Sequence, residues 1–205
     1  MRFIRIFAVD NHKKILIMKK YFTIFMAVLC LCAFSISDAN AKTRKRTHKK
    51  TNKRSQVLKE GYYIIRSAVN PNYVVDLHGA IAENFNNIHL WIYNGTDAQK
   101  WYIEQVYSKY SKNIYKIHSA VDYDYVIDIS VNSNNVCIYE DGTLESQIWI
   151  ISKCGNNTYT IESYYYGGIQ VLDLDGAIAE EGRNIQIWDS NETNAQRWIL
   201  EYVYD

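Results

Sequence analysis

From Gly61 to the C-terminus the chain is a series of short apolar runs in which apolar and polar positions alternate, with Asn, Asp, Ser and Gly between them. Ile88 and Leu90 alternate with His89 and Trp91, and Trp101 and Ile103 with Tyr102 and Glu104; Trp149/Ile151 and Trp198/Leu200 repeat the second pattern. A period of two predicts β-strands. Only Gly79–Glu83 and Gly176–Glu180 depart from it, and they are long enough for single helical turns following a strand. Asn94-Gly95, Asp141-Gly142 and Ser190-Asn191 are turn signals, predicted to join an Ile-His-Leu-Trp type of strand to the next strand as short hairpins. The only proline, Pro71, falls in a predicted loop.

The strand pattern recurs three times. Gln99-Lys100-Trp101, Gln147-Ile148-Trp149 and Gln196-Arg197-Trp198 lie at Trp-to-Trp separations of 48 and 49 residues. Asn87, Asn135 and Asn184 each stand fourteen before their Trp, and each repeat opens with GYYIIRS, NIYKIHS or NTYTIES. An Asp between aliphatics follows: Val75-Asp76-Leu77, Ile127-Asp128-Ile129 and Leu172-Asp173-Leu174. Units of this length cannot bury their apolar face alone, so the three pack together. Four strands per unit, with sheet edges that must be closed, predict a threefold all-β barrel with hairpin caps. The repeats are expected at about residues 61–108, 109–154 and 155–205 of a domain spanning 61–205.

Composition adds what precedes this domain. Met18-Lys19-Lys20, the apolar stretch Tyr21–Ile36 and small residues at Ala39 and Ala41 have the layout of a secretory signal, so residues 1–41 are expected to be removed after Ala41. Sixteen apolar residues are short for a membrane span. Translation from Met18 would remove the long preamble. Residues 42–60 are expected to be a basic, disordered linker, with eight Lys or Arg in the thirteen positions from Lys42 to Arg54. Attraction to an anionic surface is the partner chemistry this run suggests. Gly61 to Asp205 holds 8 Lys/Arg against 19 Asp/Glu, a charge of about −11 that repels nucleic acid. The expected location is secreted or extracytoplasmic, at the periplasm or cell surface. Cys137 and Cys154, placed by the expected Asp141-Gly142 hairpin beyond disulfide reach, are expected to be separate thiols.

The alternation also sorts candidate chemistry. Gln99 and Trp101 share the core face, so Trp101, Trp149 and Trp198 are expected to be structural core. With Val75, Leu77, Ile88 and Leu90 inward, Asp76, His89 and Trp91 point outward; the third repeat does the same with Asp173, Gln186 and Trp188. A carboxylate, a polar side chain and an indole on one face suit a pyranose, whose hydroxyls the acid accepts and whose C–H face the indole covers.

Three registered Gln-x-Trp repeats, each with an upstream aliphatic-Asp-aliphatic strand, resemble the ricin B-type lectin domain over about Tyr62 to Tyr204. The resemblance implies an all-β fold, a β-trefoil of three four-stranded repeats, and a non-enzymatic lectin that binds glycans or polysaccharides as a monomer without cofactor or metal. It assigns sugar contacts to Asp76, His89, Trp91 and Gln99 in the first repeat and to Asp173, Gln186, Trp188 and Gln196 in the third. Ala98 and Ala195 stand where the family often has an Asn that contacts sugar. In the middle repeat Cys137 and Tyr139 replace the polar residue and the Trp, and seven steps separate Asp128 from Asn135 against eleven in the other copies. Two shallow sites are therefore expected, in the first and third repeats.

A trefoil scaffold for protein contact or inhibition is the alternative function. A glycosidase built on Asp173/Asp175 or Asp122/Asp124 fits poorly, because the first repeat has His78 where a second acid is needed. No HExxH, GxSxG or phosphate-loop pattern occurs, and His78, His89 and His118 lack metal-ligand spacing.

Overall fold

A computed structural model describes residues 58–106, 113–130 and 132–204 of this 205-residue chain. All of these fall within one unit, Asn52–Asp205. The expected signal segment and most of the expected linker lie outside the described residues.

Among the described residues twelve strands follow one another, four to a repeat. The first repeat holds β1 (Gly61–Ser67), β2 (Tyr73–Leu77), β3 (Ile88–Ile92) and β4 (Trp101–Gln105). The second holds β5 (Ile114–Ser119), β6 (Tyr125–Ile129), β7 (Val136–Glu140) and β8 (Trp149–Lys153). The third holds β9 (Tyr159–Ser163), β10 (Gln170–Leu174), β11 (Arg183–Asp189) and β12 (Trp198–Tyr202). The outer strands of each repeat pair antiparallel around a ring, β1-β4-β5-β8-β9-β12 and back to β1, so the barrel has no free edge. The inner strands form three antiparallel hairpins, β2–β3, β6–β7 and β10–β11. This is the β-trefoil.

The core is threefold as well. Ile65, Ile117 and Ile161 meet Trp101, Trp149 and Trp198 in one buried cluster. Each indole N–H donates to the carbonyl of the residue before the repeat's Asp: Trp101 to Val75 at 3.0 Å, Trp149 to Ile127 at 3.1 Å and Trp198 to Leu172 at 3.1 Å. The expected core role of these Trp residues is what the structure shows. An aromatic side chain removes about 150–250 Å² from water, which at ~25 cal/mol per Å² stabilises by about 4–6 kcal/mol as an upper figure. The indole bond adds direction, fixing the height of each cap hairpin over the barrel.

At the axis the three asparagines form a closed ring. Asn87 Nδ2 donates to Asn184 Oδ1 (3.1 Å), Asn184 Nδ2 to Asn135 Oδ1 (2.9 Å) and Asn135 Nδ2 to Asn87 Oδ1 (2.9 Å). The register of the repeat marks these residues, although spacing alone gives them no role.

Two expectations are corrected. Asn94-Gly95, Asp141-Gly142 and Ser190-Asn191 do not close hairpins, because β3 pairs with β2 while β4 pairs with β1 and β5, and likewise in the other repeats. Each of these segments instead carries the chain from cap to barrel through a 3-10 turn, Asp97–Gln99, Glu145–Gln147 or Asn194–Gln196. A turn signal says that the chain bends, not which strand the next one pairs with. The other single turns occur at His78–Ala80 and Asp175–Ala177, one residue earlier than their expected starts; Gly79 and Gly176 there adopt φ of 62° and 64°.

Candidate functional site

The outer faces of β2–β3 and β10–β11 carry the residues singled out by alternation. Asp76 stands directly across from His89 in the ladder, and Asp173 across from Gln186. Opposed residues of an antiparallel pair share a face. His89 Nε2 lies 3.0 Å from Asp76 Oδ1 and donates to it in the Nε2–H form. The His89 ring lies 5.3 Å from Trp91 at 23°, a stacked arrangement, and His78 meets its edge at 5.1 Å. In the third repeat Gln186 Nε2 donates to Asp173 Oδ1 at 3.2 Å, with Trp188 two residues further along the same strand and face. The structure thus brings each predicted acid, polar group and indole together.

It also corrects their exposure. Asp76 and Asp173 were expected at the solvent boundary, yet they are only 6% and 5% exposed. The outer face of the cap is covered by the 3-10 turns that follow β2, β10 and the turn signals, so both faces of β2 and β10 are buried over most of their length. Burial pushes the Asp173 carboxyl above the usual carboxylate range, with the nearby Asp175 adding to the rise and hydrogen bonds from Gln186 and Gln196 opposing it. Trp188 remains 49% exposed, while Trp91 is half-buried.

The glutamines of the Gln-x-Trp triplets sit elsewhere. Gln99 is fully buried; its Oε1 accepts from the backbone N–H of Asn94 (2.7 Å) and Gly95 (3.3 Å), and its Nε2 donates to Ile92 O (2.9 Å). Gln196 accepts from Asn191 N at 2.7 Å and donates to Asp189 O at 3.0 Å. Both amides bond the backbone of the cap-to-barrel segment, and Gln196 also hydrogen-bonds Asp173. Gln99 and Gln196, which the resemblance assigns to sugar contact, thus hold in place the segment that packs against β2 and β10. Both are buried, as the two-residue spacing from the core Trp predicts, and each lies on a 3-10 turn just before the barrel strand.

The middle repeat keeps the scaffold without the trio. Gln147 bonds Gly142 N, Glu140 O and Asp128 Oδ2, while Asp128 Oδ1 accepts from Ile129 N at 2.6 Å. Cys137 faces Asp128 across the ladder, and burial drives its thiol up to about 12, with the Asp128 charge adding to the rise. Cys137 and Cys154 are both free thiols, as expected. Among the described residues no three His, Cys, Asp or Glu side chains converge to hold a metal ion.

The family model of the ricin-type beta-trefoil lectin domain-like family matches residues 97–188. No curated protein matches the sequence. Among solved structures, the designed threefold-symmetric protein ThreeFoil aligns with a TM-score of 0.63 at 20% identity, covering 70% of this chain and 99% of its own. A mosquitocidal holotoxin aligns at 0.65 and 22% identity, covering 72% of this chain, but the chain spans only 18% of that toxin. A ricin B-like lectin of Macrolepiota procera, solved in complex with lactose, aligns at 0.57 and 19% identity, covering 72% of this chain and 99% of the lectin. The described domain is a β-trefoil like theirs, and through residues 97–188 the chain is matched to the ricin-type beta-trefoil lectin domain-like family.

Proposed function

We propose that residues 61–205 form a secreted, non-catalytic carbohydrate-binding module with shallow sites in the first and third repeats. One observation carries this reading: the acid–polar–indole trio recurs on the outer faces of two cap hairpins, with the acid held by its polar neighbour each time. A carboxylate at the floor accepts hydrogen bonds from sugar hydroxyls, and such charge-assisted bonds are roughly twice as strong as neutral ones. The indole beside it supplies an apolar wall for a ring's C–H face. Asp76, His89 and Trp91 make the first site, and Asp173, Gln186 and Trp188 the third. Gln99 and Gln196 fix the adjoining wall from behind. The lactose complex of the Macrolepiota lectin, on the same fold, supports a glycan as the ligand. Two sites on one rigid barrel raise avidity for multivalent glycans. Secretion rests on the Met18–Ile36 and Ala39–Ala41 pattern.

A glycan array probed with the secreted chain tests the reading. The wild type is expected to retain a defined set of glycans, and Asp76→Asn with Asp173→Asn to lose them while still unfolding cooperatively. A wild type that binds no glycan, or a double variant that binds as well as the wild type, sinks it.

A further inference from the structure

Each cap hairpin is walled by a loop from the preceding repeat, passed round the threefold axis. The first repeat's loop runs along β7: Phe85 N donates to Ile138 O at 2.9 Å and Ile138 N to Asn86 O at 3.0 Å. The third repeat's loop runs along β3 in the same way, with Gly182 N donating to Leu90 O at 2.9 Å and Arg183 opposite Leu90. The second repeat's shortened loop reaches β11, where Ile187 N donates to Asn134 O at 2.8 Å.

This hand-over places one position of each loop beside the next site. Phe85, Ser133 and Gly182 each stand two residues before their axial asparagine. The Phe85 ring meets the edge of Tyr139, the middle repeat's counterpart of Trp91 and Trp188, with centroids 5.0 Å apart at 67°. A Cβ on Gly182 would lie 4.0 Å from Trp91 Cζ3, so the same wall stands beside the first site without a side chain. Phe85 has a φ of 69° and Gly182 of 77°, one backbone conformation filled by opposite side chains. Phe85 holds a left-handed conformation that glycine adopts without strain, and the residue is 66% exposed. Of the three outer-face aromatics, Trp188 is 49% exposed, while Trp91 and Tyr139 are half-buried.

We propose that the residue two positions before each axial asparagine gates the binding site of the following repeat: Phe85 shuts the middle one, Gly182 narrows the first, and the short turn at Ser133 leaves the third open. The inference deepens the carbohydrate reading and rests on it for its biological meaning, while its geometry stands separately. It makes the two sites unequal. The third leaves Trp188 open, whereas the first is bounded by Gly182 and has His89 stacked on its indole.

Side-chain footprinting tests the gate without any ligand. N-bromosuccinimide oxidation mapped by mass spectrometry is expected to modify Trp188 faster than Trp91, and Gly182→Phe to slow Trp91 severalfold while leaving Trp188 unchanged. Phe85→Gly, which relieves a strained backbone and so is expected to fold, should speed tetranitromethane nitration of Tyr139 severalfold. It decides the matter if Gly182→Phe does not fold. Unchanged Trp91 oxidation in a folded Gly182→Phe, or unchanged Tyr139 nitration in Phe85→Gly, overturns the gate. Titration with lactose forms a second arm, in which Gly182→Phe is expected to lose one of two sites. Absence of lactose binding by the wild type counts against lactose as a ligand of the proposed sites, and the footprint then still decides the gate.

Discussion

The axial asparagine ring yields a prediction whose arithmetic follows from its closure. Each of Asn87, Asn135 and Asn184 donates one side-chain bond and accepts one, so three residues share three bonds. Replacing Asn87 with Ala removes two of them at once. A buried neutral hydrogen bond contributes about 0.5–1.5 kcal/mol net, and because these side chains are half-buried and water partly compensates, the loss is expected at about 1–2 kcal/mol. At ~2.1 cal/mol/K per residue over the 145 residues from Gly61 to Asp205, that lowers Tm by about 3–7 °C. Adding Asn135→Ala removes only the one remaining bond, and adding Asn184→Ala removes none. Successive losses should therefore fall roughly as two, one and nothing, a sub-additivity that independent sites do not show. Urea unfolding of the single, double and triple variants measures it, with unchanged m-values guarding the comparison. Equal increments from all three substitutions would show that each asparagine acts through its own packing and that the ring is not a cooperative unit.

Two further outcomes follow from burial. Because burial raises the Asp173 carboxyl above its unfolded value, the folded chain binds that proton more tightly, so this contribution to stability is complete at low pH and is lost as pH rises through the folded pKa. Asp173→Asn is therefore expected to gain thermal stability over the wild type at pH 7 and to lose that advantage below about pH 3.9, the ordinary carboxylate value; a loss of equal size at both pH values refutes it. Cys154 is exposed, whereas burial holds the Cys137 thiol at about 12, so N-ethylmaleimide at neutral pH should label Cys154 and spare Cys137 until denaturant is added. Equal labelling of the two in peptide maps would mean that the middle cap opens readily.

The architecture was legible because the same triplet returned at nearly constant spacing and because alternation separates core from surface on a strand. Trp101, Trp149 and Trp198 occupy the expected core, and Asp76/His89 and Asp173/Gln186 fall opposite each other as their shared face requires. What escaped was whatever depends on a second layer. Alternation says which way Asp76 points but not that a turn from later in the chain covers it. Sugar contact by Gln99 and Gln196 was the implication of the resemblance alone, whereas alternation put Gln99 with Trp101 on the core face; both are buried, with amides bonded to Ile92, Asn94, Asn191 and Asp189. Pairing failed for a related reason: Asn94-Gly95 shows a bend, while the partner of β4 is chosen by barrel closure. The gate positions needed the register of one repeat against the next, which a comparison of copies aligned on themselves does not reveal.

The middle repeat shows what each part of the motif is for. It keeps Asp128, Gln147, Trp149 and Asn135, with the same indole-to-carbonyl bond and the same place in the axial ring, yet it has lost the polar partner and the Trp on its outer face. An acid at this position is therefore held by the scaffold even where no trio remains: Asp128 spends one oxygen on Ile129 N and the other on Gln147. The Asp alone therefore does not set the two proposed sites apart. What distinguishes Asp76 and Asp173 is the hydrogen-bonding side chain across the ladder, His89 or Gln186, which orients one oxygen from the outer face and stands between the acid and an indole. Inward-facing residues fix the fold and the strand between them turns the other set outward, so the outer set can change repeat by repeat without disturbing the barrel. In the middle repeat that outer set is Cys137, across from Asp128, and Tyr139, against the Phe85 ring.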